Sequence, residues 1–550
     1  MFIRNKFLSV LIIILLFSGF VTKDNDLYFE INKGIDIFGR VYKEVALNYV
    51  DELNPEEFML AGINGMLESL DPYTNFIDGS SQKDIDIITK GKYGGIGATV
   101  GLRNNDITIV DLIEGYSAQR QGLRIGDIII QIDSVKVNKE NYNELGEYLK
   151  GEPGTPLSIL IKRDGSQENI LFKLIREEIE VKNLSYYAFY PENSNNAYLK
   201  LSSFTRTAGD EVKKALLDLS ARKNIESITL DLRGNPGGLL DAAIDVSEKF
   251  LKKGELIVSV RGRDTIETKK YFAAEEPIAV DEKLVILIDE ASASASEIVA
   301  GAMQDHDRAV VVGANSFGKG LVQTIIPLSY NTSLKITTAR YFTPSGRSIQ
   351  KLDYSNKNKV FQESKKILNS KFQTDNNREV LSAGGITPDS IVSNRTSSFV
   401  IQKLLAEGMF FQFATYLFNN NPKEDFVKIN NQKLIESFLQ YLKNSKFEIG
   451  SLSQKLIDQL AAAANEEKLD ENFIISLSEA KKQISHSQSK EIEKHQEEII
   501  SLIREELAAR VAGRTGRIKE SLKVDSQFIV ASKILANEEL YRFLLNSRKN

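Results

Sequence analysis

No cysteine occurs in the 550 residues, and histidine occurs only three times. The first absence excludes thiol catalysis, disulfides and cysteine-ligated metals together. It also fits an oxidising compartment, where a spare thiol is a liability. The second leaves few imidazoles to activate a nucleophile. His486 and His495 fall in a charged tail and read as surface residues, which leaves His306 alone in the middle of the chain. No sign of charge dominates: 70 basic residues face 75 acidic ones, a net charge of -5, which argues against nucleic acid as a partner. Long apolar runs are also missing beyond the N-terminus. The one such run, Phe7 to Val21, follows a basic start at Arg4 and Lys6 and reads as a secretory signal. No small-x-small cleavage site follows it, so a short anchor is the other reading. Residues 1–22 are therefore expected to carry the chain to the periplasm or cell envelope. Membrane contact, at the inner membrane, is expected only through residues 7–21.

The length predicts several domains. Residues 25–88 read as a small helical unit: Ile35, Phe38, Val41 and Val45 recur at helical spacing, and Leu53-Asn-Pro55 supplies a cap and a proline start. Residues 90–178 change texture to short β-rich runs and glycine turns, with a hairpin turn at Asp164-Gly165. Residues 180–395 alternate strands with helices, which predicts an α/β core around a buried sheet. Ligands in such sheets sit beyond the strand C-termini, where Gly237-Gly238 and a serine cluster fall. From 396 to 550 the pattern is helical, with Glu491 to Val511 expected as one amphipathic helix burying Ile492, Ile499, Ile503, Leu507 and Val511. No chemistry is legible in that tail.

Three serines, Ser292, Ser294 and Ser296, lie where an apolar strand turns into a helix, so helix N-terminal amides could face a developing oxyanion. Ser294-x-x-Glu297 also reads as a capping box, in which Ser294 merely starts the helix. His306 lies at the far end of that helix, roughly 18 Å away at 1.5 Å per residue, too far for a Ser-His-Asp triad. Lysine is the substitute. Lys319 stands between Gly318 and Gly320, which permit close backbone approach and an inward turn. A surface lysine in a turn is the plain alternative. Buried, its amine would lose solvation and could act as a general base. Gln323 reaches it only if 319–323 makes a tight turn, since in an extended strand the two lie about 13 Å apart.

Two resemblances follow from these residues. Gly94-Gly-Ile-Gly97 with Ala118…Gly122-Leu123…Gly126-Asp127 resembles a PDZ domain, which implies capture of a peptide C-terminus on the Gly94, Gly95, Ile96 and Gly97 loop. Asp231-Leu-Arg-Gly-Asn-Pro-Gly-Gly238, Ser292-Ala-Ser-Ala-Ser-Glu297, Phe317-Gly-Lys-Gly320, Tyr341-Phe-Thr-Pro and Gly384-Gly-Ile-Thr-Pro-Asp389 resemble the C-terminal processing (tail-specific) serine peptidases. That resemblance implies a multidomain α+β chain. A β-rich PDZ domain would precede an α/β (ClpP/crotonase-like) peptidase core, with helical regions flanking both. It also implies Ser294 as nucleophile, Lys319 as general base and Gln323 orienting the lysine. Ala295 and Gly237 would supply oxyanion amides, and Asp231, Arg233 and Glu297 would support the site. Expected partners are unfolded or loosely structured proteins with accessible C-termini, with an adaptor or a second copy of the chain open. No cofactor is called for. The reading from a different class is a non-catalytic PDZ scaffold of the envelope.

Overall fold

The computed structural model describes residues 22–79, 87, 91–263, 268–354, 362–363, 370–382, 384–393, 398–421, 426, 428–445, 447, 449 and 451–546. The expected signal or anchor lies outside them, apart from Thr22. No helix among the described residues is long and apolar enough to cross a membrane. The chain divides into two contact units, which do not follow the boundaries read from sequence: residues 323–337 join the N-terminal segment in the first.

In the first unit, α1 (Thr22–Asn48) and α2 (Pro55–Leu67) flank a turn capped as expected. Asn54 accepts from the amides of Glu56 and Glu57, and Pro55 occupies the first helical position, where a missing N–H is harmless. The expected apolar face is not a core. Ile35, Phe38 and Val41 stay exposed, and α2 buries nothing, because these helices meet little beyond a Tyr42–Phe58 stack within their unit. After them, Asp71 accepts from the amides of Tyr73 and Thr74 and turns the chain into β1 (Asn75–Ile77), antiparallel to 333–335.

The second unit begins with β2 (Lys92–Gly95), β3 (Ala98–Arg103), β4 (Asp106–Leu112), β5 (Ile128–Ile132), β6 (Val135–Lys136), β7 (Pro156–Lys162), β8 (Ile170–Ile175) and β9 (Glu177–Glu180). The sheet order is β3-β4-β5-β7-β8, with β6 on β5 and β2 paired to β9. Alternating residues such as Ile107, Ile109, Ile159 and Ile161 point inward, as a half-buried antiparallel sheet requires. Strand β3 ends the sheet, so its outer edge is unpaired among the described residues.

The following α/β core holds β10 (Leu184–Phe189), β11 (Asn196–Leu201), β12 (Ser227–Asp231), β13 (Leu256–Gly262), β14 (Thr268–Phe272), β15 (Lys283–Ile288) and β16 (Val310–Gly313), and the chain of β17 (Leu321–Pro327) and β18 (Ser333–Phe342) passes between the second unit and the first. Its main sheet runs β10-β11-β12-β15-β16 and ends on 390–391, parallel except at β10. A short helix at 117–120 (α1 and α2 preceding it) is α3, and 145–149 is α4. In the core, α5 (Ala208–Arg222), α6 (Leu240–Glu248) and α7 (Ala295–Asp305) cover one face of the sheet.

The other face is covered by the C-terminal tail. There α8 (Phe399–Ala406), α9 (Met409–Asn420), α10 (Asn431–Asn444), α11 (Leu452–Glu466), α12 (Glu471–Lys494) and α13 (Gln496–Ser521) lead to α14 (Ser526–Ala536) and α15 (Glu538–Leu545). Phe528, Ala531, Ile534, Leu535 and Tyr541 pack on Tyr198, Val285, Leu287, Val310 and Val312. The end of the tail, α14 and α15, is thus the third layer of the core, while α8, α9, α10 and α13 bury an apolar cluster of their own. The single helix expected over 491–511 is broken at His495, which closes α12 and caps α13. His495 is consequently half-buried between Glu491 and Glu498, both at 3.4 Å, and is not a surface residue. Ile499, Ile503 and Leu507 are buried as expected, but Val511 is exposed, because α13 kinks at Ala512-Gly513 and turns it away.

Candidate active site

The three serines separate by what their hydroxyls do. Ser292 is buried, donates to the Leu232 carbonyl at 2.9 Å and accepts from the Asp289 amide at 2.9 Å. Ser296 is buried too and donates to the Asn235 carbonyl at 2.9 Å. Both therefore staple the serine turn to the loop 232–238. Ser294 is half-buried, and its hydroxyl takes no part in that stapling. Its backbone sits at φ 54°, ψ -110°, a conformation that costs a non-glycine residue about 1–3 kcal/mol. A sharp strand-to-helix turn of this kind lifts a nucleophile clear of its sheet.

Beside it, Gly237 has φ 97°, and a Cβ there would stand 2.6 Å from the Ala293 carbonyl and 2.8 Å from the Ala295 nitrogen. Only glycine admits that approach. The Gly237 N–H, expected as an oxyanion donor, is donated here to Asn235 Oδ1 at 2.9 Å. The neighbouring Gly238 amide has no acceptor among the described residues, and neither has the Ala295 amide at the helix start. Of the two glycine amides in this turn, the one left without an acceptor among the described residues is that of Gly238.

Glu297 joins the serine turn to the lysine loop. It is fully buried, and its Oε2 accepts from the amides of Ser294 at 2.8 Å and Lys319 at 2.9 Å. Its Oε1 accepts from the Gly318 amide at 2.7 Å and the Ser316 hydroxyl at 2.5 Å. One carboxylate oxygen thus holds the backbones of Ser294 and Lys319 together. Burial pushes the Glu297 carboxyl up to about 7, against the pull of those four hydrogen bonds. Tyr341 adds a second bridge: its hydroxyl reaches the carbonyls of both Ser294, at 3.2 Å, and Lys319. Neither Tyr341 nor Asn235 was assigned a role from sequence, although both lie inside the quoted motifs. Lys319 is half-buried, and Gly318 at φ 86° lets its loop run against Lys351.

Gln323 lies in β17, so the tight turn over 319–323 is not formed; its Nε2 donates to Thr337 Oγ1 at 3.3 Å. Capping and catalysis do not compete at Ser294. It is the N-cap residue of α7, and the Glu297 arm of the capping box is in place. His306 caps the far end of α7, bonded to Asp375 at 2.8 Å and the Leu256 carbonyl at 2.7 Å, remote from this chemistry as expected.

Asp231 and Arg233, two of the residues expected to support the site, form an ion pair at 2.6 Å. Burial would raise the Asp231 carboxyl. Arg233 and Lys200, with the Tyr198 hydroxyl at 2.6 Å, outweigh that and hold it well below the usual carboxylate range. In the PDZ region the loop is only partly free. Gly94 and Gly95 pair with β9, and the carbonyls of Ile96 and Gly97 accept from the amides of Ala118 and Ile113. No group of histidine, cysteine or acidic residues that could hold a metal occurs among the described residues.

Comparison with known proteins matches this frame segment by segment. The chain fits the peptidase family S41 model over residues 195–355, a PDZ domain model over 108–163, and the C-terminal helical domain of probable PDZ-proteases over 400–535. It is 38% identical over 352 residues to a carboxy-terminal-processing protease of Bartonella bacilliformis, covering 64% of this chain and 79% of that one. It is 30% identical over 326 residues to the carboxy-terminal processing protease CtpB of Bacillus subtilis, covering 58% and 67%. Among solved structures, the photosystem II D1 C-terminal processing protease aligns at 23% identity over 69% of this chain and 95% of that one, with a TM-score of 0.37. The chain, a PDZ domain ahead of an α/β core closed by helices, belongs to peptidase family S41 as a C-terminal processing serine peptidase.

Proposed function

We propose that this peptidase is exported and cuts loosely folded proteins after its PDZ domain has captured their C-terminal tails. In this reading Ser294 Oγ attacks a backbone carbonyl carbon while its proton passes to Lys319 Nζ. The amides of Ala295 and Gly238 receive the negative charge that develops on the carbonyl oxygen. Lys319 then returns the proton to the leaving amine, the C–N bond breaks, and water hydrolyses the acyl-enzyme by the same route in reverse. The tail would add as a strand along the unpaired edge of β3, its carboxylate reaching the amides of the Ile96-Gly97 turn. The observation that carries the reading is the single Glu297 oxygen shared by the Ser294 and Lys319 amides.

Mass spectrometry of a denatured protein incubated with wild type, Ser294→Ala and Lys319→Ala tests it. Both variants should lose cleavage and keep peptide binding; cleavage by Ser294→Ala would sink the mechanism. Tail capture is tested separately by amidating the substrate's C-terminus, which should slow cutting. Export through residues 1–22 predicts activity in the envelope fraction, and N-terminal sequencing of that material decides between a cleaved signal and an anchor at residues 7–21.

A further inference from the structure

The guanidinium of Arg233 is gripped from two sides. From the core, Asp231 accepts its Nε at 3.0 Å and its Nη2 at 2.6 Å. From the C-terminal layer, Asp525 accepts from Nη1 at 2.9 Å and forms an ion pair with Nη2 at 2.7 Å, and Gln527 accepts from Nη1 at 3.1 Å. A guanidinium is a rigid planar fork, so hydrogen bonds from both sides fix its plane. Asp525 lies 292 positions downstream, between α13 and α14.

Arg233 opens the turn that carries the oxyanion amide. Its N–H donates to Asp231 Oδ1 at 2.9 Å, and its carbonyl accepts from Lys200 Nζ at 2.7 Å. The next links run straight to the nucleophile: Gly234 N–H to Asp289 Oδ1 at 2.9 Å, Ala293 N–H to the Asn235 carbonyl at 3.0 Å, and Gly237 N–H to Asn235 Oδ1. The charges also balance, with Lys200 and Arg233 facing Asp231 and Asp525. Asp525 is not needed to hold the tail down. The apolar cluster of Phe528, Ile534 and Leu535 does that, and Tyr541 hydroxyl bonds the amide of Leu284 at 2.9 Å far from Arg233.

We propose that Asp525 is a positioning residue for peptide-bond cleavage, fixing Arg233 and through it the Gly237-Gly238 turn against Ser294. The helical layer then completes the active site from behind the sheet. This rests on the reading of the Gly238 and Ala295 amides as oxyanion donors.

Asp525 is also the N-cap of α14, accepting from the Phe528 amide at 3.0 Å. Asparagine caps a helix as well as aspartate does, so Asp525→Asn removes the charge on Arg233 and keeps the cap. The test compares full-length wild type, Asp525→Asn, Asp525→Ala, Tyr541→Phe and Ser294→Ala on fluorescein-labelled casein, with a melting temperature for each. Asp525→Asn should lower kcat roughly tenfold, as expected for a small misplacement of a catalytic group, with KM and melting temperature near wild type. Tyr541→Phe, which loosens the tail away from Arg233, should lower the melting temperature and leave kcat. An Asp525→Asn that melts earlier with kcat intact, raises KM alone, or changes nothing overturns the proposal. Cleavage by Ser294→Ala would instead show that the Ser-Lys reading had failed.

Discussion

At the scale of single residues, the site depends on buried groups with no slack. Glu297 shows this best, since its two oxygens serve three backbone amides and a hydroxyl. Glutamine in its place presents an NH2 where two of those donors need an acceptor, at about 1–3 kcal/mol for each buried group left unpaired. Glu297→Gln should therefore lower kcat/KM by roughly a hundredfold, read with any cleavable protein substrate, and should also lower the melting temperature. Ser294 gives the opposite balance. Its φ of 54° is one that glycine adopts freely. Ser294→Gly should abolish cleavage yet stabilise the fold by about 1 kcal/mol in urea denaturation, because the strain of the turn is released. A loss of stability there would mean that the serine side chain holds the turn together.

At the scale of elements, α7 carries the serine at one end and His306 at the other. Both partners of the imidazole, the Asp375 carboxylate and the Leu256 carbonyl, only accept hydrogen bonds. Both are satisfied only by the charged ring. Burial works against that charge, but the Asp375 and Leu256 bonds prevail and raise the His306 pKa above its ordinary value. The stability this adds is fully present below the unfolded value near 6.5 and is lost as pH rises through the higher folded value. The destabilisation caused by His306→Gln should therefore be largest near pH 6 and shrink above pH 7, measured by denaturant midpoints. A pH-independent penalty would show that the ring is neutral throughout.

Elements of this kind were legible in the sequence to different depths. Strand β15 is buried on both faces and reads as an apolar run, whereas β12 is equally buried but alternates polar and apolar residues; the glycines and serines after them marked the candidate site. The choice of Ser294 over its neighbours was not legible from spacing. It depends on Ser292 and Ser296 reaching carbonyls some 60 positions away. The commitment of the Gly237 amide was hidden for a similar reason, since it turns on one side-chain rotamer of Asn235. Periodicity showed that α13 had an inward face, but not that the chain would bend at Ala512-Gly513 and leave Val511 outside. Gly513, at φ 58° and ψ -151°, occupies a region essentially closed to other residues. Gly513→Ala should lower stability by roughly 1–3 kcal/mol, and an unchanged melting curve would place the bend elsewhere.

At the scale of the second contact unit, the tail was read as helical but without a role, because amphipathicity says that a face is covered and not what it covers. The structure gives it the far side of the catalytic sheet. A chain ended after residue 395 would leave Tyr198, Val285, Leu287, Val310 and Val312 facing water, an apolar patch that a soluble protein does not tolerate. It should be recovered only as aggregate; a folded, soluble truncation would show that the layer is dispensable.

That arrangement also sets an order of events during synthesis. The turn bearing Ser294 and the loop bearing Lys319 leave the ribosome long before Phe528 and Tyr541, which close the opposite face of the sheet. A nascent chain thus holds Ser294 and Lys319 while still lacking a wall of the core. A core without that far wall should not cleave, so activity is expected to appear only once residues 526–545 have been made and packed.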